Sequence, residues 1–368
     1  MKVLLLSCST GGGHDSAAKA IGEKLTEKNI EWVMLDPIKL SSESFSKKVN
    51  NLYINVVNNN PNLFKGAYKL AEMYGTLKIK SPIYAINKIF AKNLKQYIED
   101  NNINIAIATH LYPAEILTSI KKKDPNIHFI VVATDYTSIP FWEETNPDYF
   151  VIPSKDLINE FTNKGIDKNK LLPFGIPISP KFCSKLSKPA ARKIVNINNR
   201  KKTILIMTGS MGFGNIESTV DKILEKYTST INVIIICGNN KDMKNKLESK
   251  YKNDNVIIKG FTNDVSTFMD ASDIILTKPG GLTSTETAVK NIATIFTNPI
   301  PGCENHNANF FEERKMAYIS TSDELSLKYI DILLNNKDTV KDMKKNQTKY
   351  INKNSTDDIV EFVIKNYN

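Results

Sequence analysis

Apolar runs of four to seven residues recur along the chain, each bounded by turn residues and most of them followed by a helical pattern. Five such runs lie in the first half of the chain, at 2–8, 32–36, 103–109, 129–134 and 149–153. Five more lie in the second half, at 203–208, 232–237, 256–261, 274–277 and 293–297. The alternation predicts βα units around parallel sheets, and hence an α/β protein with two Rossmann-like, doubly wound domains.

A boundary between the two domains is expected between residues 171 and 202. The run Leu171–Pro177 is followed there by a polar, lysine-rich stretch, and 368 residues exceed what one core usually supports. Near the end, Ser355-Thr356 precedes acids and an apolar face, which predicts a capped helix that crosses between the domains or covers one sheet. We therefore expect an N-terminal domain (1–172), a linker (173–202), a C-terminal domain (203–345) and a terminal helical segment (346–368).

The strand at 203–208 leads into the glycine-rich run Gly209-Ser210-Met211-Gly212 and then into a helical pattern. Backbone amides and a helix N-terminus would converge there at the carboxyl edge of a sheet, an arrangement that suits a diphosphate. A glycine-rich turn also occurs merely to reverse the chain, and this one matches neither a P-loop nor a strict dinucleotide fingerprint. The run alone leaves both interpretations open.

A second glycine pair, Gly280-Gly281, follows the fourth predicted strand of this half. The pair permits close backbone approach, and Glu286 lies where a carboxylate can bind both ribose hydroxyls. Alternatively, Thr283 or its neighbour caps the helix and Glu286 only favours the helix dipole. The loop 297–305 brings further polar groups to the same sheet edge, and three such loops together favour a ligand site.

Three glycines, Gly11-Gly12-Gly13, separate the first predicted strand from His14. Apolar positions at helical spacing, Ala17, Ala18 and Ile21, place His14 in the first turn of a helix. The helix dipole disfavours an imidazolium there, so the neutral ring can accept a proton as a general base. The alternative is a cap or a solvated side chain, but the glycines and the presence of only four histidines favour catalysis.

Composition narrows the class of protein. With 41% hydrophobic and 24% charged residues the chain is an ordinary globular protein, and four scattered cysteines argue against a disulfide framework or a zinc site. The cysteine usage fits a reducing cytoplasm. Because no apolar stretch approaches the roughly 20 residues that span a bilayer, we expect any membrane contact to be peripheral. The net charge of +10 favours anionic partners.

The segment 40–98 is too long for a simple βα connection and carries nine lysines against two glutamates, with eight Phe or Tyr residues. A basic, aromatic helical segment of this kind can lie on an anionic membrane and receive a lipid. The alternative is a helical excursion with a solvated lysine face. Binding of nucleic acid is not expected, because no helix-turn-helix or RNP-like pattern accompanies the charge.

Six motifs occur in order along the chain: Gly11–His14 with Ala17-Ala18, Thr134–Tyr136 with Trp142, Phe174–Pro177, Gly260–Asn263, Lys278–Thr283 and Asn298–Gly302. Together they resemble the monogalactosyldiacylglycerol synthase and processive diacylglycerol glucosyltransferase family and, more distantly, the MurG-type transferases. The resemblance spans nearly the whole chain. It implies the GT-B fold, in which two Rossmann-like domains face each other across a cleft.

The resemblance also implies an activity: inverting, metal-independent transfer of glucose or galactose from a UDP-sugar to diacylglycerol or glycosyl-diacylglycerol, without a cofactor. The N-terminal domain would bind the acceptor at the inner face of the cell membrane, and the C-terminal domain would bind the donor. His14 would deprotonate the lipid hydroxyl, with Gly11, Gly12, Gly13 and Asp135 on the acceptor side. The donor's diphosphate would lie on Gly209, Ser210 and Met211, its uracil beside Phe261 and its ribose on Glu286, with Gly280, Gly281, Thr283, Cys303, Glu304 and Asn307 as further donor residues.

Two positions leave questions open. Cys303 stands where the family usually has glutamine, so an amide expected to contact sugar hydroxyls is lost and the identity of the sugar stays open. Asp135 either acts at the site or only orders its loop. The alternative activities are transfer of N-acetylglucosamine to a polyprenyl-linked peptidoglycan precursor, UDP-sugar epimerisation and non-catalytic sensing of a UDP-sugar; the triple-glycine–histidine loop and the basic segment argue against the last two.

Overall fold

The computed structural model describes residues 1–8, 12–44, 46–48, 61–75, 80–198, 200–209, 216–227 and 230–367. The chain divides into two compact units. The first unit comprises Met1–Pro180, Ile300–His306 and Asn352–Asn368, and the second comprises Lys181–Pro299 and Asn307–Ile351. Each unit contains one parallel six-stranded sheet, so the predicted α/β architecture with two doubly wound domains is confirmed.

The sheet of the first unit has the strand order β2-β1-β3-β4-β5-β6. Its strands are β1 Lys2–Leu6, β2 Glu31–Leu35, β3 Ile105–Ala108, β4 Phe129–Val132, β5 Tyr149–Val151 and β6 Leu171–Leu172. Up to residue 183, the α-helices whose bounds the structure describes are α1 Gly12–Glu27, α2 Pro37–Ser41, α3 Pro61–Gly75, α4 Pro82–Asn87, α5 Ala91–Asp100, α6 Leu111–Lys121, α7 Ile158–Asn163 and α8 Pro180–Cys183. Sequential strands run outward in both directions from β1, so the order reverses between β1 and β3, where such sheets bind ligands.

The sheet of the second unit has the strand order β12-β11-β10-β7-β8-β9. Its strands are β7 Lys202–Met207, β8 Ile231–Ile236, β9 Val256–Lys259, β10 Ile274–Thr277, β11 Ala293–Thr297 and β12 Tyr318–Ser320. The remaining helices are α9 Lys188–Ile194, α10 Glu217–Tyr227, α11 Lys241–Lys250, α12 Val265–Ala271, α13 Gly281–Lys290, α14 Cys303–Glu313, α15 Asp323–Asn335, α16 Lys337–Tyr350 and α17 Ser355–Tyr367. Here the order reverses between β7 and β10.

All ten strands expected from the sequence are present, with ends shifted by at most two residues. The two strands that the pattern did not predict, β6 and β12, lie at the outer edges of the sheets. Both are short, and an edge strand buries less apolar surface than a central one. A central strand such as β3 is instead covered on both faces, which explains its uninterrupted run of buried residues.

The terminal helix α17 is part of the first unit. Its residues Ile359, Val360 and Val363 are buried in one apolar cluster with Val3 and Leu5 of β1. Helix α17 also packs against α1. The last helix of the chain thus completes the core that the first strand begins.

Most of the described residues of the segment 40–98 are helical, and the longest of these stretches are α3, α4, a 3₁₀ turn and α5. None of the helices that the structure describes is both long and apolar enough to cross a bilayer.

Candidate active site

His14 lies in the first turn of α1, as the sequence predicts, just beyond the carboxyl end of β1. Its ring Nδ1 lies 2.8 Å from the carbonyl oxygen of Thr109 and 2.9 Å from the hydroxyl oxygen of Thr134. Thr109 directly follows β3, and Thr134 closely follows β4. Because β1, β3 and β4 are adjacent and parallel, their carboxyl ends bring these three residues together. We call them the base site.

Thr109 also supports the backbone of the base site. Its side chain is fully buried, and its hydroxyl lies 3.0 Å from the carbonyl oxygen of His14 and 3.3 Å from that of Leu6. The threonine therefore joins the end of β1 to the first turn of α1. Nearby, the hydroxyl of Ser7 donates to the carboxylate of Asp15 at 2.6 Å, which links the same strand end and helix start a second time.

A second imidazole lies beside His14. The ring centroids of His14 and His110 are 4.6 Å apart with the planes at 83°, an edge-to-face contact. His110 caps α6, because its Nδ1 accepts a hydrogen bond from the backbone amide of Tyr112 at 3.1 Å. Burial lowers the pKa of His110 well below its ordinary value, and the neighbouring His14 lowers it further, so His110 is neutral at physiological pH.

The other residues predicted on the acceptor side lie close by in the chain. Gly12 and Gly13 begin α1, whereas Gly11 lies outside the described residues. Asp135 follows Thr134 and is half-buried. The loop that carries it is held by Glu160, whose Oε1 accepts 2.6 Å hydrogen bonds from the hydroxyl of Thr137 and the amide of Ser138. This anchoring fixes the loop that presents Thr134 to His14.

In the second unit, glycine-rich turns meet at the carboxyl edge of the sheet. Strands β7 and β10 are neighbours, with Met207 paired to Thr277 at their ends, so the turns at Gly209 and Gly280 begin side by side. Gly209 has φ +78°, a conformation that favours glycine, and among the described residues, its chain neighbours apart, no atom lies within 4 Å of where a Cβ would be. Gly280 is the N-cap of α13, and Gly281 is the first residue of that helix. A Cβ at Gly280 would likewise have no described atom within 4 Å, its chain neighbours apart.

These turns form what we call the donor edge, which can present backbone amides to an anion. A helix N-terminus and an open glycine surface on neighbouring strands are what a diphosphate needs. Strand β11 ends on the other side of β10, so the loop that follows it begins at the same edge, as expected. Ser210 and Met211 lie outside the described residues.

Glu286 lies in the second turn of α13 and is half-buried. Loss of surrounding water raises the pKa of its carboxyl to about 8, although the positive charge of Lys181 acts in the opposite direction. Thr283, in the first turn of the same helix, is also half-buried. The sequence did not reveal this raised pKa, which belongs to a carboxyl on the helix that begins at the donor edge.

Two further predicted residues lie on different parts of the second unit. Phe261 follows the outer strand β9 by two residues, and its side chain is 64% exposed, so its ring is available for stacking. Asn307 is fully buried, and its amide donates to the carbonyl oxygen of Pro279 at 3.0 Å. This bond supports the turn that leads to Gly280.

Cys303 and Glu304 begin α14 and group with the first unit. Glu304 accepts a hydrogen bond from the backbone amide of Ile300 at 2.6 Å, which closes the turn before the helix. Burial raises the pKa of the Cys303 thiol well above its ordinary value, and the negative charges of Asp135 and Glu304 raise it further. Cys303 is therefore a neutral thiol at physiological pH.

Across the part of the chain that the structure describes, no three His, Cys, Asp or Glu side chains are grouped so as to hold a metal ion.

Comparison with known proteins finds a family model that matches most of each half of the chain. Residues 14–178 match the model of monogalactosyldiacylglycerol (MGDG) synthase, and residues 203–362 match the glycosyltransferase family 28 C-terminal domain. A processive diacylglycerol beta-glucosyltransferase from Staphylococcus haemolyticus is 28% identical over 340 residues, covering 91% of this chain and 85% of that protein. The protein of the same name from Staphylococcus aureus MRSA252 is 27% identical and covers 98% of this chain and 93% of its own length.

Solved structures show the same fold. MurG from Acinetobacter baumannii superimposes with a TM-score of 0.63 at 14% identity, covering 99% of both chains. A UDP co-structure of MnaA from Staphylococcus aureus superimposes with a TM-score of 0.65 at 13% identity, covering 100% of this chain and 96% of that one. The chain therefore has the GT-B fold. The two family matches and the curated relatives confirm the predicted resemblance to the monogalactosyldiacylglycerol synthase and processive diacylglycerol glucosyltransferase family.

Proposed function

We propose that this protein is an inverting hexosyltransferase that moves glucose from a UDP-sugar to diacylglycerol or glycosyl-diacylglycerol, without a metal ion or another cofactor. The base site carries the proposal, because it presents a partly exposed imidazole whose Nδ1 is held by two neighbouring loops. Glucose is preferred over galactose because the relatives compared above are named glucosyltransferases.

In the proposed reaction His14 takes the proton of the lipid hydroxyl, and the oxygen attacks the anomeric carbon from the face opposite UDP. This single displacement inverts the configuration at that carbon. The leaving diphosphate gains charge, and the amides of the donor edge and the N-terminus of α13 would stabilise it. A protein that supplies such donors does not need a metal ion for the same purpose.

The test is transfer in vitro to liposomes that contain diacylglycerol, with UDP-glucose and UDP-galactose supplied separately. We expect a β-linked glucolipid from the α-linked donor, identified from the anomeric proton coupling in its NMR spectrum. An α-linked product would contradict the single displacement. Conversion of the UDP-sugar in the absence of lipid would instead indicate an epimerase, and UDP binding without any product would indicate a sensor.

His14→Ala should lower kcat by about 10²- to 10⁴-fold, the range that a positioned general base contributes. His128→Ala is the matched control, because His128 is a half-exposed histidine of the same unit that contacts Asp148 and Tyr367 rather than the base site. It should retain activity. Normal turnover by the His14 variant would remove this residue from the mechanism.

The acceptor side of the proposal includes an anionic membrane surface. Leu63, Leu70 and Met73 recur at helical spacing on α3 and are 61–66% exposed. Lys65 and Lys69 of the same helix are also exposed. An apolar stripe flanked by lysines fits the boundary between lipid headgroups and acyl chains.

A second exposed apolar site follows on α4 and the 3₁₀ turn. Ile86 is 48% exposed and Ile89 is 73% exposed, with Lys88 and Lys92 exposed beside them. Water-exposed isoleucines are unfavourable in a free surface and favourable against a membrane. Both halves of the basic segment thus combine lysines with exposed apolar side chains.

Flotation with vesicles tests this surface. A Leu70→Ser/Met73→Ser variant should lose binding to vesicles that contain anionic lipid and lose transfer to liposomes, while its affinity for UDP is unchanged. Ile194→Ser is the control, because Ile194 is 64% exposed but lies in the second unit. Equal flotation of the double variant and the wild type would contradict a role for α3.

A further inference from the structure

The two contacts of His14 fall on the same ring nitrogen. Nδ1 faces the carbonyl oxygen of Thr109 at 2.8 Å and the hydroxyl oxygen of Thr134 at 2.9 Å. We propose that Thr109 and Thr134 are positioning residues that hold His14 as the Nδ1–H tautomer, so that Nε2 carries the lone pair that accepts the proton.

The carbonyl of Thr109 decides the tautomer. A carbonyl oxygen can accept a hydrogen bond but cannot donate one, so a 2.8 Å contact to Nδ1 requires the proton to be on Nδ1. The alternative tautomer would place two lone pairs against each other. Thr109 cannot move away to relieve this, because its buried hydroxyl is tied to the end of β1 and to the backbone of His14. The surroundings of His14 thus select the Nδ1–H tautomer, which neutral histidine in water populates less than the Nε2–H tautomer.

Thr134 adds a second acceptor to the same N–H group. Its side chain is only 5% exposed, and its oxygen faces Nδ1 from β4 while the carbonyl of Thr109 faces it from β3. Two acceptors from different strands restrict the rotation of the ring as well as its tautomer. The ring can then present Nε2 in one direction only.

The neighbouring His110 must be the opposite tautomer. Its Nδ1 accepts the backbone amide proton of Tyr112, so its own proton is on Nε2. Burial keeps this ring neutral. Two neutral histidines whose centroids are 4.6 Å apart are therefore expected to differ in which nitrogen carries hydrogen.

The positioning role follows from this arrangement and rests on the proposed function. When His14 accepts the lipid proton on Nε2 it becomes an imidazolium, and its Nδ1–H bonds to Thr109 and Thr134 become charge-assisted and stronger. These bonds therefore stabilise the transition state more than the ground state. Their loss should appear in kcat and leave KM for both substrates nearly unchanged.

The tautomers can be observed without any substrate. Nitrogen-15 NMR of protein labelled at histidine, recorded above pH 8, distinguishes protonated from unprotonated ring nitrogens. The chain has four histidines, so single histidine variants assign the signals. We expect Nδ1–H for His14 and Nε2–H for His110. An Nε2–H form of His14 would overturn the proposal whether or not the protein is a transferase.

Kinetics then test the positioning role. Thr134→Val keeps the shape of the side chain but removes the acceptor. The value of kcat should fall roughly 5- to 13-fold, which corresponds to the difference between a charge-assisted hydrogen bond in the transition state and a neutral one in the ground state. Thr134→Ser should restore kcat to within about twofold, because it keeps the hydroxyl. Thr118→Val is the control for loss of a buried hydroxyl in the same unit, because the Thr118 hydroxyl donates to the carbonyl oxygen of Ala114 and accepts from the amide of Asn146 rather than contacting the base site. It should leave kcat unchanged.

The outcomes separate the two proposals. If lipid transfer occurs but Thr134→Val, folded as judged by its thermal transition, keeps full kcat, the positioning role is wrong and the transferase stands. If no acceptor gives a product but His14 is Nδ1–H, the tautomer is right and the proposed function is wrong. A rise in KM with unchanged kcat would also overturn the positioning role, because it would assign Thr134 to substrate binding.

Discussion

Raising the pH from 7 to 8.5 should tighten the binding of UDP, because the pKa of Glu286 is raised to about 8. The proposed ribose contact requires an ionised carboxylate that accepts hydrogen bonds from both hydroxyls. At pH 7 only about one in eleven of these carboxyls is ionised, whereas at pH 8.5 about three in four are. The apparent Kd varies inversely with the competent fraction, so it should fall about eightfold across this interval.

UDP binding is expected to tighten as the pH rises because the pKa of Glu286 is raised, not lowered. Loss of water around Glu286 favours the neutral acid, and a ligand that prefers the carboxylate must first drive off that proton. The phosphates of UDP are already largely ionised at pH 7, so they contribute little to the change. Lys181 lowers the pKa of Glu286, and Lys181→Met should therefore move the whole dependence to higher pH.

Isothermal titration calorimetry of UDP binding at several pH values between 7 and 8.5 measures this dependence. Glu286→Gln is the matched variant, because it keeps the size of the side chain and its hydrogen bonding but cannot ionise. Its Kd should not vary with pH. A pH-independent Kd for the wild type, or the same slope in Glu286→Gln, would refute the assignment of the ribose contact to an ionised Glu286.

Three further predictions concern stability and the diphosphate site. Lys290→Met should destabilise the second unit by about 3–5 kcal/mol in urea titrations, because it removes the lysine that lies 2.8 Å from the 2%-exposed carboxylate of Asp270. Adding Asp270→Leu should recover much of the lost stability, and full stability of the single variant would contradict this account. Gly22→Ala should cost about 1–3 kcal/mol of stability, because an added Cβ would lie 2.6 Å from the Trp32 ring. Gly66→Ala should be neutral or stabilising by up to about 1 kcal/mol, because its Cβ would have no described atom outside its own helix backbone within 4 Å. Equal unfolding midpoints of the two variants would count against the packing argument. Excess EDTA should leave the transfer rate unchanged if backbone amides stabilise the leaving diphosphate, and a loss restored by Mg²⁺ would show that a metal ion does so.

The central strands could be predicted from sequence because they are buried on both faces and read as continuous apolar runs. The edge strands Leu171–Leu172 and Tyr318–Ser320 could not, since two or three residues carry too little pattern. The glycine turns and His14 were identifiable because their chemistry is local: each acts through its own backbone or ring at a strand end.

Partners that come from different strands were not predictable in the same way. Thr109 and Thr134 contact His14 only because β3 and β4 follow β1 in the sheet, and the pattern along the chain does not specify that order. A signal does exist: each polar residue lies just beyond a buried strand at the edge where His14 was expected. The raised pKa of Glu286 left no comparable signal, because it depends on how much water its folded surroundings exclude.

The placement of α17 has a consequence for synthesis on the ribosome. The first unit needs Ile359, Val360 and Val363 to complete its core, although its strand β1 is translated before the whole of the second unit. The second unit takes all of its residues from Lys181 to Ile351 and can finish folding earlier. Of the two units, the one whose translation begins earlier is therefore completed later, and until α17 is made it must keep an apolar surface away from other chains.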